Sequence, residues 1–210
     1  MKTNAVYTKK GSYIFMIEGL DALGSLDVIK PQILRAAHQA INRTLDRART
    51  ASAREIRDQV NFPAAYLQGA DSRLSVTQRA SASRLEGVIT GRRRATSLAR
   101  FVVGSSGAGV SVRVKPNSTV QMKRAFLMRL RSGNASLDTK SNLGLAVRTK
   151  DGRKPSAAYK PTKIGDNLWL LYAPSVDQVF RAVREDIAKD TEDFLEREFS
   201  RLLDLYGVRL

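Results

Sequence analysis

The sequence predicts an α+β fold in which an antiparallel sheet of about four to five strands packs against two long helices, at about 27–60 and 176–206. Three observations lead there. Apolar residues recur at three- and four-residue steps over two long stretches, one near each end of the chain. Between them the period falls to two, as in Val110-Ser111-Val112-Arg113-Val114-Lys115, whose valines share one side. The connections between these alternating runs are too short for helical crossovers, which leaves antiparallel pairing. Two one-faced helices over one apolar sheet face is the simplest packing.

Taken in order, Tyr13 to Ile17 is a β-branched and aromatic run and reads as a strand, with Gly19 to Gly24 turning out of it. The first helix is expected to start near Asp27, with Pro31 tolerated in its first turn. Ile29, Ile33, Ala37, Ala40, Ile41, Leu45, Ala48, Ile56 and Val60 form its apolar stripe, and Asn61-Phe62-Pro63 stops it. Further strands are expected at Arg84 to Thr90, Val110 to Lys115, Arg124 to Met128, Leu143 to Val147 and Leu168 to Tyr172. In the last of these, Trp169 reads as core. Ser175-Val176-Asp177-Gln178 then has the form of a capping box, and the terminal helix follows until Gly207.

The chain of 210 residues is read as a single domain, 1–210, with long basic loops at about 102–109, 131–142 and 149–165. Loops of this length are either functional or ordered by a partner. There are no cysteines, which removes disulfides, thiol nucleophiles and thiolate zinc sites and suits a reducing compartment or a virion assembled in one. No apolar run reaches the length of a membrane span, and Lys9 and Lys10 interrupt any signal-peptide core. The expectation is a soluble protein made inside a cell, without a membrane partner.

Net charge is +16, unevenly spread. The last helix, Asp177 to Tyr206, holds nine acidic against five basic residues, whereas Asn61 to Lys160 holds nineteen Lys/Arg against four Asp/Glu. A basic body with an acidic terminal helix fits nucleic-acid binding through the middle, or association with itself or with an acidic protein.

Catalytic patterns are absent. Gly104-Ser105-Ser106-Gly107 lacks the spacing of a nucleophile elbow, and no phosphate loop or dinucleotide fingerprint occurs. His38 is the single histidine, on the margin of an apolar stripe, and reads as structural. The carboxylates of the last helix read as a solvated face with i,i+4 pairs. The expectation is no enzyme, no catalytic residue, no cofactor and no metal.

The sharpest cluster is Arg92-Arg93-Arg94, continuing to Arg100, with Arg79 and Arg84 upstream. Three readings stay open: a solvated turn that blunts a sheet edge, a docking patch for an acidic protein, or a phosphate-contacting patch. Nucleic acid ranks last, because no aromatic side chains interleave with these arginines. Lys150, Arg153 and Lys154 on the late loop are the second set of candidate contacts.

Several of these features together resemble the minor tail protein Z group of long-tailed bacteriophages, the tail-completion proteins. They are the early helix over Ala36 to Asp58 with Ala-Ile-Asn-Arg-Thr at 40–44, the arginine-rich stretch from Arg84 to Phe101, Arg124-Ala125-Phe126, and Leu171-Tyr172-Ala173-Pro174-Ser175-Val176 before the last helix. The likeness runs from about Asp27 to Leu205. It implies a structural virion protein, assembled in the host cytoplasm, forming a homo-oligomeric ring with hexameric symmetry at the head-proximal neck of the tail. It also implies roles in tail completion, head–tail joining and DNA passage. The partners implied are further copies of itself, the tail terminator, the tail tube and the head–tail connector, with possible contact to packaged DNA. The alternative from a different class is a non-specific DNA-binding protein acting through the basic middle segment.

Overall fold

The computed structural model describes the strands at 2–8 and 12–18 by their backbone, and residues 30–69, 72–155 and 159–208 in full. The expected turn at 19–24 and the start of the first helix at 27–29 lie outside the described residues.

Two long helices form the spine: α1, Pro31–Gln59, and α3, Val176–Leu205. In α1, Pro31 sits at the first helical position, where its missing N–H costs nothing. Ile33, Ala36, Ala37, Ala40, Ile41, Leu45, Ala48 and Ile56 are buried along one stripe. Thr44 and Ser52 lie on the same stripe, and each satisfies its hydroxyl inside the helix by donating to the carbonyl four residues back, at 2.8 and 2.6 Å. α3 begins with the capping box expected from the sequence. The Gln178 N–H donates to the Ser175 hydroxyl at 3.1 Å, and the Ser175 N–H donates to the Gln178 side chain at 2.9 Å.

The helices pack on each other as well as on a sheet. Along their seam Arg47 lies 4.7 Å from the Phe194 ring centroid and Arg35 lies 5.0 Å from that of Tyr206. The Tyr206 hydroxyl donates to Gln39 at 2.8 Å. Arg35, Arg43 and Arg47 of α1 thus meet Tyr206, the C-cap of α3, and Glu198 and Phe194 within it.

Glu198 anchors this seam. Its carboxylate, nearly buried, accepts from Arg201 at 2.8 and 2.9 Å and from Arg43 of α1. The Arg201 hydrogen bonds hold its pKa below the ordinary carboxylate value against the opposing effect of burial, and Arg43 adds to them. A depressed folded-state pKa gives stability that is present above the unfolded value, near 4.3, and is lost as pH falls through the folded one. Glu198→Gln is therefore expected to lower the unfolding free energy by about 1–2 kcal/mol at neutral pH, the arginines being half exposed and screened. Urea melts should show the gap between parent and variant closing below about pH 4. A gap of equal size at pH 7 and pH 3 would assign the loss to packing rather than charge.

The strands confirm the mixed class with antiparallel sheets and long helices, but they divide among three sheets where the sequence suggested one. The first has β1 (Lys2–Thr8), β2 (Ser12–Glu18), β3 (Leu74–Gln78) and β4 (Glu86–Gly91) in the order β1-β2-β4-β3. α1 lies across β2, β3 and β4. The second runs β11-β12-β10-β9, from Lys160–Gly165, Leu168–Ala173, Leu143–Arg148 and Ala125–Arg129. The two-residue β5, Thr96–Ser97, pairs with the end of β12. The third is a meander, β6 (Val102–Ser106), β7 (Gly109–Lys115) and β8 (Ser118–Lys123). One apolar cluster joins the parts: Ile41 and Leu45 of α1, Ile89 of β4, Val112 of β7, Leu145 of β10, Leu171 of β12 and Phe180 of α3 all belong to it.

Three further expectations are corrected. The segment 102–109, read as a flexible Gly/Ser loop, contributes β6, an edge strand whose small exposed residues carry no period to read but whose backbone pairs with β7. The end of the loop at 149–165 forms β11, another exposed edge, with Pro161 where an edge tolerates it. Trp169, read as core, lies near the start of β12 and is half-buried, whereas Leu171 and Ala173 farther along the same face are buried. The segment 131–142 is irregular.

Candidate functional site: a basic cavity

β4 ends at Gly91, and the chain then runs beneath the first turn of α3. The Arg92 N–H donates to the Arg73 carbonyl at 2.8 Å, and the Arg92 carbonyl accepts from the Asp177 N–H at 3.1 Å. Arg92 is thereby fixed between the entry to β3 and the start of α3. Four residues on, β5 pairs Thr96 and Ser97 with Ala173 and Tyr172. The Ser97 hydroxyl donates to the Leu143 carbonyl at 2.8 Å and caps a short 3-10 helix, Leu98–Phe101. Leu98, Ala99 and Phe101 are buried, and that turns Arg100 outward.

Arg100 meets Tyr66 from α2, Ala64–Gln68, a helix the sequence analysis did not anticipate. The guanidinium carbon lies 4.1 Å from the ring centroid, and Nη1 donates to the Thr139 carbonyl at 2.9 Å. Arg73 stands over the same ring at 5.8 Å. Tyr66 is held in turn by Phe62, with centroids 5.7 Å apart, and its hydroxyl lies 3.4 Å from that of Thr96. The segment 131–142 closes the other side. There Asn142, at φ +54°, accepts from the Arg131 N–H and donates to the Arg131 carbonyl, both at 3.0 Å, so that Arg131 and Lys140 stand at the rim.

The result is a cavity of about 380 Å³ whose lining, among the described residues, includes Arg73, Arg92, Arg94, Arg100, Arg131 and Lys140 and no carboxylate. Burial lowers the pKa of Arg100 from the ordinary guanidinium value; Tyr66 opposes this, and the charges of Arg73 and Arg92 reinforce it.

The structure therefore brings Arg92, Arg94 and Arg100 together and adds three cations that sequence reasoning missed. Arg73 arrives from the entry to β3, and Arg131 and Lys140 from the segment 131–142. The visible signal for the last two was their place in a long polar loop. Arg93 points into the neighbouring cleft of about 570 Å³, which Lys160, Arg181 and Asp177 also line. Lys150 lies elsewhere, beside Arg124, Phe126 and Arg148. Arg153 is exposed and pairs with Asp151 at 3.3 Å, and Lys154 is exposed. The two halves of the sequence-predicted contact set occupy separate surfaces. His38 is half-buried on α1, where burial and then Arg35 lower its pKa. Among the described residues no helix is long and apolar enough to cross a membrane.

Comparison with curated proteins and with solved structures returns no match. A family model does match, over residues 17–206, starting ten residues before the likeness seen in the sequence and taking in the end of β2, α1, the basic cavity and α3. The chain belongs to the prophage minor tail protein Z family, and so to the minor tail proteins of bacteriophage.

Proposed function

We propose that this protein is a structural, non-catalytic part of the virion that completes the tail, assembling as a homo-oligomeric ring, with six copies as the expected number, at the head-proximal neck. Its work there is to finish the tail, make it competent to join the head and allow DNA to pass. The neighbours in this reading are the tail terminator, the tail tube and the head–tail connector, and assembly takes place in the host cytoplasm. The observation that carries the reading is the family match over 17–206. Further support comes from charge: a body rich in exposed Lys and Arg and an α3 with exposed Glu185, Asp186, Asp190, Asp193 and Glu196 offer complementary surfaces to successive copies.

Quantitative mass spectrometry of purified infectious particles tests it. The expected result is a few copies per particle, near six by the ratio to the portal and tube proteins. Absence from infectious particles would overturn the ring and leave a transient assembly factor in its place.

A further inference from the structure

The basic cavity has properties that a solvated charged turn does not. Its cations come from three separate segments of chain and converge on one concave space, and the described residues that line it include no carboxylate. Two of the guanidiniums share the Tyr66 ring, and Arg100 is further fixed by the Thr139 carbonyl. Arg92, Arg94, Arg100, Arg131 and Lys140, held this close around one space, repel one another, and an anion that enters among them relieves that repulsion. The side chains are arranged for an anion before one arrives.

We propose that the cavity is an oxyanion site that takes phosphate groups, either a run of phosphodiesters or a free polyphosphate. Guanidinium forks match phosphate oxygens two at a time, and five of the six cations are arginines. Charge density also favours phosphate. Nucleic acid carries one charge per about 1.7 Å of duplex axis and so brings several charges to a space of this size, whereas a lone carboxylate brings one. The aromatic surface missing around the arginines in the linear sequence is supplied by Tyr66 and Tyr172, which both line the cavity.

The inference stands on the cavity and not on the ring, so its failure would leave the particle measurement untouched. Calorimetric titration of the full chain at low salt would use three probes: tripolyphosphate, a short mixed-sequence single-stranded oligonucleotide and hexaglutamate. The rim double variant Arg94→Gln/Arg131→Gln spares the Tyr66 stack, and Arg153→Gln/Lys154→Gln removes the same charge away from the cavity. The phosphate probes are expected to bind the parent, to weaken at least about tenfold in the rim variant and to stay within about twofold in the control. An oligonucleotide that binds more tightly than tripolyphosphate and is displaced by it identifies phosphodiesters as the source, and the opposite order identifies a free polyphosphate. Equal weakening in both variants, no binding of either phosphate probe, or hexaglutamate bound as tightly with the same rim dependence would overturn the site.

Discussion

Phe101→Ala is expected to lower the unfolding free energy by about 3–5 kcal/mol, the range for emptying a buried aromatic site that cannot collapse. The Phe101 ring is only 2% exposed, and its centroid lies 5.4 Å from that of Phe62. It belongs to the one apolar cluster that joins the sheets and the helices. Three surrounding groups are fixed independently: Phe62 stacks on Tyr66, Ser97 is tied to Leu143, and β5 is paired with β12. Little can move in to fill the space. Set against a typical total of about 5–15 kcal/mol, the loss is a large share of the fold's stability. Guanidinium titration followed by the Trp169 fluorescence would measure it, and Phe101→Leu should recover more than half by refilling the volume. A loss under about 1 kcal/mol for the alanine variant would mean that the 3-10 helix relaxes into the gap. In that case the seat of Arg100, one residue earlier, would be looser than the structure indicates.

The sequence made some parts of this molecule readable and hid others for physical reasons. Both long helices and the capping box at Ser175 were legible because they are local: three- and four-residue periodicity and a hydroxyl three residues before Gln178 suffice. Strands with buried faces, β7 and β12 among them, were legible for the same reason. β8, with Ser118, Thr119 and Gln121 all exposed, has no face to bury and so no period. β6 and β11 are exposed edges whose pairing is written in backbone hydrogen bonds rather than in side chains. The division into three sheets was hidden too, since register between strands far apart in sequence has no local signature. The cavity follows the same rule. Arg92, Arg94 and Arg100 stood out as neighbours in the chain, whereas Arg73, Arg131 and Lys140 become neighbours only after β4 pairs with β3 and β10 returns beside β9.

Gly91→Val is expected to cost about 2–3 kcal/mol, through backbone contact rather than through backbone conformation. A Cβ at this position would stand 2.9 Å from the Asp177 Cα and 3.0 Å from its nitrogen. Both are main-chain atoms in the first turn of α3, so no side chain can rotate away to make room. Either the end of β4 or the start of α3 must move, and the Asp177 N–H bond to the Arg92 carbonyl is the link between them. Displacing that link disturbs the capping box at Ser175 on one side and the position of Arg92 in the cavity on the other. The matched control is Gly104→Val on the exposed edge of β6, where an added Cβ meets nothing within 4 Å. It should change stability by no more than about 0.5 kcal/mol. Parallel urea melts would compare the two. If both are neutral, the close approach of β4 to α3 is not a constraint on the fold. If Gly91→Val alone is costly and also weakens the binding of tripolyphosphate, the junction that fixes the helix and the junction that fixes the anion site are the same few residues.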